Sequence, residues 1–67
     1  MTNSELLKQK MQESGYKLRY IAQRIGLSYQ GMMNKVMNKH EFTAGEIQAL
    51  CDILCIPSEE RDLIFFN

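Results

Sequence analysis

Apolar residues recur at helical spacing along the chain, and no strand-like alternation survives more than a few residues. Thr2-x-x-Glu5 reads as a capping box, ahead of a helix with Leu7 and Met11 on one face. Ser14-Gly15 ends that helix. From Lys17 to Ile25, the positions Leu18, Ile21, Ala22 and Ile25 fall at i, i+3, i+4 and i+7, one apolar stripe. Gly26 closes this second helix. Ser28 is an N-cap for a third, running to about Met37 with Met32 and Val36 inward. Residues Asn38 to Phe42 read as a loop. Thr43-x-x-Glu46 is a second capping box, opening a helix with Ile47, Leu50, Cys51 and Leu54 inward and Cys55 continuing that face. Ile56-Pro57 breaks it. Ser58 caps a last short helix with Glu59 and Glu60 in its first turn and Leu63, Ile64, Phe65 and Phe66 as its apolar residues. The pattern predicts an all-α, compact chain of five helices.

Length confines this pattern to one domain, residues 1–67. A chain this short has little room for an enzyme's walled cleft. Hydrophobic residues at 45% and charged residues at 24% describe a globular chain, too apolar for disorder. Apolar runs are only a few residues long, so no membrane span is expected. Met1 to Glu5 lack a basic region followed by an apolar stretch, so no secretory signal and a cytoplasmic location are expected.

Formal net charge is zero, which argues against a polyanionic partner until position is considered. Residues 14–40 hold Lys17, Arg19, Arg24, Lys35 and Lys39 and no acid. Residues 41–67 hold Glu41, Glu46, Asp52, Glu59, Glu60 and Asp62 against Arg61 alone. A basic middle and an acidic end form an electrostatic footprint that the total conceals. The other reading is that five cations are scattered over solvated helix faces. Cys51 and Cys55 share a helical face, and a metal site would need about four ligands. Only His40 could join them, so the expectation is two buried thiols, no metal and no cofactor. A Ser/His/Asp set and a phosphate-cradling Gly loop are both missing from the sequence, so neither an enzyme nor a small-molecule substrate is expected.

The informative stretch runs from Lys17 to Val36. Two short helices flank a turn at Gly26-Leu27-Ser28. Ala22 lets the helices approach, Gly26 permits the sharp turn, Leu27 plugs the corner, and Met32 packs back under the first helix. That is the anatomy of a helix-turn-helix, whose second helix projects its N-terminal end into a major groove. Ala22…Gly26-Leu27-Ser28…Met32 resembles the helix-turn-helix of Cro/lambda-repressor-like (XRE family) DNA-binding domains. The five-helix succession and the turn at Asn38-Lys39 match the family as well. The segment Glu41 to Ile47 and the ending Ile64-Phe65-Phe66 are similar to small phage or prophage regulators of Gram-positive bacteria.

The resemblance implies that Ser28, Tyr29 and Gln30 begin a recognition helix, with Asn34 one turn later on its outer face. It places base readout at Tyr29, Gln30, Met33 and Asn34. Gln and Asn pair with adenine, and Met33 suits a thymine methyl. It places phosphate contacts at Lys17, Arg19, Ser28, Lys35, Asn38 and Lys39. Two departures stand out: Gly31 replaces the family's usual Ser or Thr, and Lys17-Leu18 replaces its usual polar start of the second helix. Plainer readings remain beside these. Met33 and Met37 suit packing, Tyr16 and Tyr20 suit the core's edge, and Lys35 can lie along its helix. The expected partner is double-stranded DNA, bound by a homodimer on a pseudo-palindromic operator to regulate transcription. Leu63, Ile64, Phe65 and Phe66 are the candidate dimer contact, with closure of the monomer core as the alternative. The rival function is a protein-interaction module of the same fold, such as an antitoxin or a binder of a repressor or polymerase.

Overall fold

In a computed structural model, which describes residues 1–66, the helices are α1 (Ser4–Ser14), α2 (Leu18–Arg24), α3 (Tyr29–Val36), α4 (Ala44–Leu54) and α5 (Ser58–Phe65). No strand occurs among the described residues. The stripes predicted from the sequence face one another. Leu7 of α1, Ile21 of α2, Met32 and Val36 of α3, Leu50 of α4 and Ile64 of α5 are all but fully buried in one core. Each such side chain stabilises the fold by roughly 1.5–3 kcal/mol relative to exposure. α1 packs on α3, α4 and α5, and α2 packs on α3 and α4. No helix among the described residues is long and apolar enough to cross a membrane.

Three of the helix ends differ from expectation. Asn3, not Thr2, caps α1, with its Oδ1 accepting from the Leu6 N–H at 3.2 Å. Thr2 is instead buried, and its backbone N–H and carbonyl both bond the Asn38 side-chain amide at 2.9 Å. An amide side chain offers one acceptor and two donors, so Asn38 can satisfy both backbone groups of one residue this way. Pro57, not Ser58, occupies the cap of α5, without a side-chain bond. α4 stops at Leu54, and Cys55 stands beyond it in the left-handed region at φ 54°. Cys55 is therefore exposed rather than part of the inward face, while Cys51 is buried. At the start of α4, both bonds of the predicted Thr43–Glu46 capping box are present.

The loop ahead of α4 contributes a core residue that the helical pattern did not show. Phe42 is buried with its ring edge-to-face on Phe65, centroids 5.7 Å apart. Such pairs contribute about 0.5–1.5 kcal/mol beyond area burial.

The ending Leu63 to Phe66 divides in two. Ile64 and Phe65 are 1% and 5% exposed, so they take the alternative reading and close the core of the monomer. Leu63 and Phe66 are 58% and 63% exposed. Asn67 lies outside the described residues.

Candidate nucleic-acid interface

The turn between α2 and α3 sets the geometry of the candidate site. Gly26 takes φ 83°, a conformation in which any Cβ is strained. The Gly26 N–H then bonds the Gln23 carbonyl at 3.2 Å, and the Leu27 N–H reaches the Ala22 carbonyl at 2.9 Å. These two bonds make a Schellman stop, which satisfies carbonyls at the helix end and turns the chain sharply. Ala22 is buried and Leu27 packs against the core, as their spacing predicts. Ser28 then caps α3, its Oγ accepting from the Gly31 N–H at 3.0 Å. Gly31 leaves the space beside that cap free. A Cβ there would stand 3.0 Å from the Ser28 Oγ, a tight approach that a small shift of the hydroxyl relieves.

Tyr29 and Gln30 are exposed, and Met33 and Asn34 are half-buried. The Arg19 guanidinium lies over the Tyr29 ring, 4.9 Å from its centroid, joining α2 to the start of α3. Gln30 donates through Nε2 to the Asn34 Oδ1 at 3.0 Å. The Asn34 carbonyl accepts from the Lys39 N–H at 2.8 Å, which folds the segment after α3 back along the helix. Two side-chain contacts, Arg19–Tyr29 and Gln30–Asn34, thus stand on neighbouring positions of α3, and a backbone bond brings Lys39 to its far end.

Lys17, Arg19 and Lys39 are exposed or half-exposed and make no ion pair among the described residues. Arg24 is likewise outside any ion pair and donates to the Tyr20 hydroxyl at 2.8 Å. Two of the expected phosphate contacts are committed elsewhere. The Lys35 ammonium lies 2.6 Å from the Glu46 Oε1, both side chains mostly buried. Burial opposes ionisation of Glu46, but the Lys35 ammonium and the Thr43 N–H outweigh it and hold its carboxyl below the ordinary value of 4.5. Asn38, at φ 65°, spends its side chain on Thr2 and Ser4. Lys35 and Asn38 are therefore structural here, with their polar groups turned to the fold.

No family model, curated protein or solved structure matches the chain. The surface built by α2 and α3 therefore carries the functional reading by its own chemistry. No group of three or more His, Cys, Asp or Glu side chains suited to a metal ion occurs among the described residues. The Gln30–Asn34 bond was open to sequence reasoning, since i,i+4 neighbours on a helix touch. The Arg19–Tyr29 stack was not, because it depends on how α2 crosses α3.

Proposed function

We propose that the chain is a sequence-specific regulator of transcription that binds double-stranded DNA through a helix-turn-helix, with α2 as the supporting helix and α3 as the reading helix. One observation carries this reading: the exposed and half-exposed groups Arg19, Tyr29, Gln30, Asn34 and Lys39, set along α3 by the Arg19–Tyr29 stack, the Gln30–Asn34 bond and the Asn34–Lys39 backbone bond. It pairs uncharged amides, which suit base edges, with flanking cations, which suit phosphates. The stacked Arg19 guanidinium makes no ion pair with a carboxylate among the described residues. Lys17 stands at the N-terminal side of α2, and Lys39 at the far end of α3.

The mechanism is occupancy. Cations neutralise phosphates, α3 reads bases, and the bound protein excludes or recruits polymerase. A single module of this kind buries roughly 600–1,000 Å². Two copies on a pseudo-palindrome add the affinity that one lacks. Leu63 and Phe66 are the exposed apolar side chains that would meet in such a dimer.

The same two residues also favour a second reading, a helix-turn-helix module that binds another protein. The internal use of Lys35 and Asn38 weakens the phosphate-binding surface in the same direction. Gel-shift titration at several salt concentrations separates the two. DNA binding predicts that log affinity falls linearly with log salt, with a slope near −0.9 per phosphate neutralised. A duplex selected from a random pool should also bind far more tightly than random DNA. If no duplex is retained even at low salt, the DNA reading fails and the protein partner stands.

A further inference from the structure

Gln30 and Asn34 are not two independent amides. The Gln30 Nε2 is bonded to the Asn34 Oδ1 at 3.0 Å on the outer side of α3. A primary amide has two N–H donors and a carbonyl acceptor. The bond occupies one donor of Gln30 and turns the Asn34 carbonyl toward its neighbour. It leaves the Gln30 Oε1 as an acceptor and the Asn34 Nδ2 as a donor, neither with a hydrogen-bond partner among the described residues. We infer that Gln30 and Asn34 act as one composite reader for a single adenine in the major groove, an inference that rests on α3 being the reading helix.

Adenine alone presents an acceptor, N7, beside a donor, the N6 amino group. The Asn34 Nδ2 would donate to N7, and the Gln30 Oε1 would accept from N6. Guanine presents two acceptors at the same edge, so its O6 would face the Gln30 Oε1 across an unsatisfied gap. Cytosine offers only a donor, and thymine an acceptor with a methyl group. Met33 is three residues beyond Gln30, and Met37 three beyond Asn34, so both stand next to the amides on the helix surface. Met33 is half-buried and Met37 exposed. Their apolar ends suit the C5-methyl of the thymine paired with that adenine. The bond also orients both amides before DNA arrives, so less side-chain freedom is lost on binding.

The test is selection of duplexes from a random pool by the wild-type protein, Gln30→Ala, Asn34→Ala, the double variant and Asn34→Asp. Binding to duplexes carrying each base at the enriched position is then titrated. The expected result is one adenine per half-site whose preference, roughly 5- to 150-fold over other bases, disappears in either alanine variant. The double variant should lose no more at that position than either single one. Asn34→Asp keeps an acceptor for the Gln30 Nε2 but presents oxygen to the groove. It should shift the preference from adenine to cytosine, whose N4 amino group donates.

Loss of preference at two different base pairs, with additive effects, would overturn the composite reader while leaving α3 as the reading helix. Retention of adenine by Asn34→Asp would overturn it too. If the wild-type protein enriches no sequence at all, the functional reading fails first, and that outcome is visible without any variant.

Discussion

Cys55 and Asn38 are the two residues other than Gly that hold positive φ among the described residues, and they do so for different returns. Asn38 is among the side chains that tolerate this region, and its amide closes on both backbone groups of Thr2. Asn38→Ala should destabilise by about 2 kcal/mol, from two buried polar groups left unpaired and a strained Cβ. Asn38→Gly should lose only the bonds, and in urea titrations its stability should fall between wild type and Asn38→Ala. Equal stability of all three proteins would show that Thr2 is not held by Asn38. Cys55 has no such bond to offset its strain, so Cys55→Gly should stabilise the fold by about 0.5–1 kcal/mol. The two thiols also differ in chemistry. Burial pushes the Cys51 thiol above its ordinary pKa, whereas Cys55 stands in solvent. A thiol reagent should modify one cysteine per chain quickly in the native state and both in denaturant. Two fast thiols in the native protein would contradict the burial of Cys51.

Helix α4 joins capping to charge pairing through one carboxylate. Glu46 returns the capping bond to the Thr43 N–H at 2.9 Å and receives the Lys35 ammonium on the same oxygen. Its folded pKa lies below the ordinary value, so its contribution to stability is complete above the carboxylate range. That contribution is lost as pH falls through and below about 4.5. Glu46→Gln should lower stability near neutral pH and flatten its dependence across that acidic window, as read from urea midpoints at successive pH values. A variant whose midpoint falls with acid as steeply as wild type would remove Glu46 from the cause.

This element also shows where the sequence was legible and where it stopped. Thr43-x-x-Glu46, the Ala22–Gly26–Leu27 turn and the inward stripes were readable because their bonds join residues within one or two turns. Lys35–Glu46, Asn38–Thr2 and the burial of Phe42 were not, because they join separate elements. For the candidate site, local spacing placed Tyr29, Gln30, Met33 and Asn34 on α3. It could not tell that Lys35 and Asn38 were already taken.

Across the whole molecule, the acidic third is less separate from the rest than its charge count suggests. Glu46 meets Lys35, and Glu60 meets Lys10, so part of the polarity is spent inside the fold. Of the cations without an ion pair among the described residues, Lys17, Arg19, Arg24 and Lys39 lie around α2 and the end of α3, and Lys8 lies on α1. If Lys39 neutralises one phosphate, Lys39→Ala should lower the salt slope of DNA binding by about one unit on all sequences. Lys35→Met should leave that slope unchanged. If Lys35→Met lowers the slope as much as Lys39→Ala, the ion pair opens on DNA and Lys35 joins the phosphate-binding cations. Helix α5 and the residue after it divide into buried and exposed apolar side chains. Removing residues 63–67 should unfold the chain, because Ile64 and Phe65 belong to the core. Replacing Leu63 and Phe66 with Ser should leave the fold intact and lower the sedimentation coefficient if they join two copies. Unchanged sedimentation at high concentration would exclude them from any dimer.

Near the N-terminus, the backbone N–H of Asn3 donates to the carbonyl of Ile64 at 2.6 Å, so the start of α1 is fastened to α5. During synthesis the chain appears from the N-terminal end. Helix α1 is thus made before the other four, yet its Leu7 face has no complete cover until α5 follows. A nascent chain halted before Ile64 would present that face to whatever apolar surface lies near, and a ribosome-associated chaperone would find its binding stretch there. The cover of the Leu7 face is therefore completed by the element farthest from it in sequence among the described helices.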